Sequence, residues 1–363
     1  MRVASYEELE VERLQYILEM WDTALTSIAV VGDFFLDRYL IIDPALTEQS
    51  IETGLDAYQV VEKRPQPGAA GTVTSNLFGL GICDVSIIGV CGDDGEGHEL
   101  RQAMQHQLLN DELFMTLEGY MTPTYTKPLV RESDGTLREL NRLDIRSREP
   151  LPASTQEMIA DRLNCLGAVS DAVIICDQEA DPELGVVTPL LVEALSATAE
   201  HNGDRVFWVD SRGDISRFRS CIIKPNAHEA CRAAGVACSG EPTLDQAREA
   251  GERLLEQTAS RAVVVTLGRE GVLVVAPGIE TTHVPAVRVE GPIDIVGAGD
   301  SFTAGIASAL AVATADTTLV QGAIVGNLVA SITIQQIGTT GYATPEQLLQ
   351  RLEDVQAGRM SSA

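Results

Sequence analysis

The densest chemistry in this chain lies at residues 294–306, DIVGAGDSFTAGI, where Gly297, Ala298 and Gly299 lead into Asp300 and then an amphipathic run. Glycine is poor inside a helix, so the two glycines predict a turn just before one. A helix start carries unpaired amide N–H groups and partial positive charge. Gathered by such a turn, those amides form a nest for an anion. An acid at the edge of a nest would repel a static phosphate. It has a task if it takes a proton from a hydroxyl that attacks the phosphate. Nest, oriented acceptor and base are the parts phosphoryl transfer needs. A plainer reading makes Asp300 a helix N-cap. The turn by itself leaves both open.

Such a turn needs a frame. Short β-branched runs occur at 27–37, 84–97, 171–177, 205–211, 221–226, 262–268 and 271–277, with stretches of helical length at 154–166, 187–200 and 243–257. Strands alternating with helices predict a parallel sheet covered on both faces, whose ligands lie beyond the strand C-termini. Asp33, Asp177, Asp210 and Asn226 fall at those ends. Leu14, Ile17, Leu18 and Trp21 are spaced for an N-terminal helix packed on the body. Two segments, 39–66 and 120–145, are richer in polar residues, Thr and Pro. They are expected to form a small sheet outside the main layers, inserted discontinuously. The tail GRMSSA is expected to fray. One α/β domain over 1–363 is expected, with too little chain after 350 for a second.

Composition narrows the partners. The chain has 363 residues, 53 acidic and 26 basic, for a formal charge of −27. That argues against a nucleic-acid or anionic-membrane surface, though a few local amides and arginines could still hold a phosphate. No run of 18 apolar residues and no signal-peptide pattern occurs, so a cytoplasmic protein is expected. Seven cysteines without a CxxC pair fit reduced thiols, and five dispersed histidines suggest no zinc site.

The turn resembles the C-terminal signature of the ribokinase, or PfkB, family of sugar kinases, and further pieces fall in that family's order from about residue 27 to 350. VVGDFFLDRY is similar to its substrate strand, and PGAAGTVTSNLFGLG (67–81) to its glycine-rich sugar loop. GVCGDDGEG matches a GxxGxDxxG run, and KPNAHEA holds an NxxE motif as Asn226 and Glu229. VVTLGREGVLV and VGNLVASITIQQIGTTG resemble the segments that frame the nucleotide. The resemblance implies a ribokinase-like α/β fold, with a central mostly parallel sheet, helices on both faces and a small β lid. It implies ATP and Mg²⁺ as cofactors and a sugar or sugar phosphate as partner. Asp300 becomes the base, and the amides of Gly297, Ala298 and Gly299 the anion hole. Asp33, Asp37, Gly68 and Ala69 fall at the sugar. Lys127, Arg131 and Arg142, in the lid segment, are placed to reach an acceptor phosphate or hydroxyl. Asn226 and Glu229 would organise Mg²⁺ through waters. Asn226, Thr266, Gly268 and Gly271 would touch the nucleotide, with Asn327 near the base. Asp294 marks a monovalent-cation position, where Ile295 and Val296 would leave K⁺ to backbone oxygens.

Within the family, VVGDFFLDRY, TKPLVRE, NRLD and PNAHEA are most similar to the heptose-phosphate kinase group, which implies a heptose 7-phosphate acceptor. Three departures reopen the acceptor. Thr72 stands where that group has asparagine, Gln178-Glu179-Ala180-Asp181 where it has a tyrosine and a lysine, and Arg212 where a lysine is expected. A nucleoside kinase using Tyr39, Tyr58 or Tyr125, a kinase of another small alcohol, and a non-catalytic binding protein remain as alternatives. A homodimer joined through the lid is expected.

Overall fold

The computed structural model describes residues 1–363 except 24, 108, 313–316, 340 and 363, and leaves out the side chain of residue 106. A ten-stranded sheet runs in the order β1 (Arg2–Val3), β17 (Thr282–Val284), β16 (Val272–Val275), β15 (Ala262–Thr266), β14 (Ile222–Ile223), β13 (Val206–Ser211), β12 (Ala172–Asp177), β2 (Ser27–Gly32), β7 (Asp84–Gly92), β8 (Phe114–Leu117). From β15 to β8 every pairing is parallel; β16 is antiparallel to both its neighbours.

These strands are apolar at nearly every position because both faces are covered. In β2, Ile28 and Val30 enter one core while Ala29 and Val31 enter the other, and Ile174 and Ile175 of β12 divide the same way. The first face carries α1 (Val11–Asp22), α2 (Ala70–Gly79), α3 (Gly95–Met104), α8 (Ala298–Ala311), α9 (Leu319–Thr333) and α10 (Pro345–Gln356). The second carries α4 (Ala153–Val169), α5 (Pro189–His201), α6 (Ala227–Ala234) and α7 (Leu244–Thr258). Side-chain caps set many helix starts: Thr188, Thr243, Thr318 and Thr344 each accept an amide of the first turn. Asp94, in the GDDGEG run, caps α3 in the same way by accepting the Gly97 amide.

A second sheet is built from β10 (Leu137–Glu139), β9 (Thr124–Arg131), β3 (Phe34–Ile42) and β6 (Val60–Ala69), with β11 (Leu143–Ile145) also on β9. β4 (Glu48–Gln49) and β5 (Asp56–Ala57) pair separately. Here the sequence expectation needs correction, because 27–37 is not one strand. Asp33 divides it, so that β2 stays in the main sheet and β3 leaves for the lid. β6 returns beside β3, pairing Ala69 with Phe34, and α2 begins at once. The tail also departs from expectation: Arg288 N donates to Ser361 O and Val287 bridges Ser362. Among the described residues, no helix is long and apolar enough to cross a membrane, and all seven cysteines are free.

Candidate active site

A cleft of about 1070 Å³ opens between the C-terminal ends of the main sheet and one face of the lid. Period-two alternation decides which lid residues reach it. β3 contributes Phe35, Asp37 and Tyr39, and the neighbouring β9 contributes Tyr125, Lys127 and Leu129. Lys127 is buried, with Nζ 3.2 Å from Asp37 Oδ1 and 3.2 Å from the Tyr39 hydroxyl, over whose ring it sits at 4.7 Å. Burial would lower the lysine pKa; Asp37 and Tyr39 outweigh it and hold the ammonium above its ordinary value. Gly68 belongs to this pair rather than to the cleft wall. A Cβ there would lie 2.9 Å from Asp37 Oδ2, so the missing side chain makes room for the carboxylate.

Arg142 lines the cleft, forked onto Asp144 at 2.6 and 2.8 Å and stacked 4.2 Å from the Tyr125 ring. Arg131 does not line it. One turn of the alternation further along β9, it is exposed and 3.9 Å from Glu62. Asp33 also lies off the wall. Its Oδ2 accepts the amides of Gln178 and Glu179 at 2.8 and 3.0 Å, and Oδ1 that of Val186 at 2.7 Å. Burial, then the nearby Asp177, push its pKa up to about 6 against those three amides. The acid expected at a sugar is instead a clasp across the strand ends. Ala69, at φ +54, and buried Thr72 do line the cleft.

At the floor, Gly297 takes φ +78 and opens α8 with no side-chain cap. The amides of Gly299 and Asp300 have no acceptor among the described residues. Such free N–H groups at a helix head suit an anion. The Asp300 carboxyl sits among them, its pKa pushed up to about 7 by burial first and by Asp210 second, against Arg212 and Lys224. A base poised near neutrality can both accept and return a proton. Asp294, on the cleft wall just before the turn, accepts Val296 N on one oxygen and Gly338 N on the other, which pins the loop.

Opposite lie Asn226, Glu229 and Thr266. The NxxE spacing is a capping box: Asn226 Oδ1 accepts Glu229 N at 2.9 Å, and Glu229 Oε2 accepts Asn226 N at 2.8 Å. The second Glu229 oxygen has no partner among the described residues, and burial raises its carboxyl pKa. A hydrated Mg²⁺ fits that donor set. Gly268, Gly271 and Asn327, expected at the nucleotide, do not line this cleft. Gly268 opens a tight turn at φ +58. Gly271, at φ +95, presses on the Val284–Ala286 backbone, where a Cβ would meet Val284 O at 2.2 Å. Asn327 is buried and donates to the carbonyls of Val284 and Pro285.

One wall residue, Lys224, is absent from the sequence expectations, and Asp210 figures there only as a strand end. Lys224 and Asp210 pair at 3.0 Å beneath the glycine turn. A lysine closing the apolar run CIIKPN, immediately before Asn226, was the available signal.

An amide nest, a tuned carboxyl beside it and a polar cleft under a β lid define a phosphotransferase with a hydroxyl acceptor. Residues 168–347 match the pfkB family carbohydrate kinase model. The chain belongs to that family, and it is a carbohydrate kinase by class. It is similar to the bifunctional protein HldE of Geobacter sulfurreducens, 30% identical over 321 residues, covering 87% of this chain and 61% of that protein. The same protein of Pelobacter propionicus is 28% identical with the same coverages. The chain thus spans about three-fifths of these relatives' length. The fold matches Arabidopsis thaliana ribokinase solved with ribose and ATP, at TM-score 0.65 and 16% identity, covering 90% of this chain and 99% of that one. A ribokinase from Thermotoga maritima matches at 0.65 and 20%, with the same coverages.

Proposed function

We propose that this chain transfers the terminal phosphoryl group of ATP to a hydroxyl of a phosphorylated sugar of the heptose 7-phosphate type. The observation carrying this reading is Asp300, a carboxyl raised to about 7 at the head of an uncapped helix. The carboxylate takes the acceptor proton. The amides of Gly297, Gly299 and Asp300 hold the charge that develops on the transferred group, whereas that of Ala298, expected in the anion hole, is donated to Ile295 O. Asp37 and the Ala69 backbone receive sugar hydroxyls. Asn226 and Glu229 hold Mg²⁺ through waters, and Thr266 lies on the nucleotide side. When bound, that ion neutralises phosphate charge. Both Asp294 oxygens accept backbone amides, so a K⁺ at this position would rest on backbone carbonyl oxygens.

One cation on the wall supports a phosphorylated acceptor. Lys127 is spent on Asp37, Arg142 on Asp144 and Arg64 on Glu62. Arg212, also on the wall, has no carboxylate partner among the described residues. With Lys224 paired to Asp210 beneath the glycine turn, Arg212 is placed to take the acceptor's own phosphate, with Arg142 nearby through Tyr125. A second reading has its own observation. Phe35 and Tyr125 stand edge to face at 5.2 Å on the cleft wall, a surface that suits a nucleoside ring.

ADP release from Mg-ATP, measured across sugars, sugar phosphates and nucleosides for wild type and Asp300→Asn, tests the reading. Turnover with a heptose 7-phosphate that the variant loses supports it. Turnover only with an unphosphorylated alcohol or a nucleoside keeps the kinase and discards the acceptor. Nucleotide binding with no acceptor-dependent release supports the non-catalytic alternative. The reading includes a cytoplasmic homodimer joined through the lid, whose exposed Ile51, Leu55, Tyr58, Val60 and Val61 the partner would cover. Sedimentation of wild type against Val61→Glu tests that part.

A further inference from the structure

Beneath the glycine turn lies an ion pair whose hydrogen-bonded support goes beyond what its charges do to the Asp300 carboxyl. Lys224 is 5% exposed, and its Nζ lies 3.0 Å from Asp210 Oδ2. The same Oδ2 accepts Thr303 Oγ1 at 3.3 Å, and Thr303 Oγ1 in turn accepts the Trp208 indole N–H at 3.2 Å. Thr303 follows Asp300 by three residues on α8, so the helix that carries the base also carries the hydroxyl holding Asp210. The lysine Nζ is 3.5 Å from where a Cβ on Gly299 would stand. It therefore abuts the nest itself.

A buried ion pair is weak evidence of stabilisation, since well-packed apolar residues can do as well. A chain of two further hydrogen bonds behind one carboxylate indicates that its position matters. Lysine has three donors and is a point charge suited to phosphate. Among the described residues only Asp210 pairs with it, which leaves two N–H groups on the side of Gly299.

Resting on the phosphotransfer reading, we propose that Asp210 is a positioning residue which, fixed by Thr303 and Trp208, holds the Lys224 ammonium where it takes a phosphate oxygen of a nucleoside triphosphate. Asp210 acts through Lys224 and touches no substrate itself.

The test is calorimetric titration of the full chain with the β,γ-imido analogue of ATP and with ADP, both with Mg²⁺. The variants are Lys224→Met, Asp210→Asn, the double variant and Thr303→Val, each checked for fold by near-UV circular dichroism. A lost charged hydrogen bond predicts about tenfold or greater weakening for the triphosphate analogue in Lys224→Met, with a smaller effect on ADP. Asp210→Asn weakens the analogue in the same sense, and the double variant binds no worse than Lys224→Met alone. Thr303→Val keeps the ion pair and gives a smaller loss, so the proposal stays testable if an Asp210 variant fails to fold. Additive losses overturn it, as does Asp210→Asn binding the analogue as tightly as wild type or more tightly. The latter is what removing a mere negative neighbour would do. A wild type that binds neither nucleotide overturns the phosphotransfer reading along with this one, whereas tight wild-type binding with additive variants overturns this one alone.

Discussion

Replacing Asp300 with asparagine should separate what the carboxyl does for the reaction from what it costs the fold. The ordinary value of 3.8 rises to about 7 in the native chain, because burial and Asp210 disfavour the charge. Between those two values the native carboxyl keeps a proton that the unfolded chain has released. Native stability therefore falls as pH rises from about 4 to about 7, and the loss is complete above the folded pKa. The full shift corresponds to about 4 kcal/mol. Asp300 is only partly buried on the floor of an open cleft, so water screens part of this and about 2 kcal/mol is expected. Asp300→Asn, which carries no charge at any of these pH values, should be stabilised over wild type by about that amount at pH 8 and hardly at all at pH 4. Urea unfolding at half-unit pH steps measures it. In parallel, kcat should fall by about 10²- to 10⁴-fold, and wild-type kcat/KM should rise with pH through about 7. Parallel stability–pH curves for the two proteins would refute the reasoning, because the carboxyl would then titrate alike in both states.

Three further outcomes follow from the geometry. Lys127→Met strands Asp37, whose side chain is 9% exposed; a loss of about 3 kcal/mol is expected in urea unfolding, and a change within 0.5 kcal/mol would mean the pair is dispensable. Gly271→Ala forces a side chain into a φ of +95 against Val284 O and should cost more than about 2 kcal/mol in the same assay. Glu229→Gln keeps an oxygen for the Asn226 amide and so should keep the thermal midpoint to within about 2 °C. Its half-saturating Mg²⁺ should nonetheless rise several-fold, and an unchanged Mg²⁺ titration would remove Glu229 from the metal.

What could be read in advance follows from the range of the interactions. Strands such as 171–177 and 205–211 were legible because burial on both faces leaves an unbroken apolar run, and the start of α6 because the capping partners Asn226 and Glu229 are three apart. That the segment after Asp33 leaves for another sheet was not legible, since Phe34, Phe35 and Leu36 continue the apolar run of β2 and only tertiary pairing distinguishes them. Asp33 marked a strand end correctly, yet its occupation by three amides depends on residues 178–186. Motif position put Gly271 and Asn327 near a ligand without indicating that one packs on backbone and the other braces it. The Asp210–Lys224 pair joins two strand ends, and no local spacing announces it. The tail was misjudged because composition does not reveal that Arg288 receives it.

The Asp33 clasp also bears on how the chain assembles. Its partners lie 145, 146 and 153 residues downstream. Contacts so distant in sequence are closed late, because the intervening loop entropy must be overcome first. During synthesis β3 and β6 emerge long before the amides that fix their root. The roof of the cleft should therefore remain unanchored until residue 186 has left the ribosome. A truncated chain ending near residue 150 should show protease cuts within 34–69 that the full chain resists. Equal protection in both would mean that the lid sheet sets its own root, and that the clasp merely locks a structure already formed.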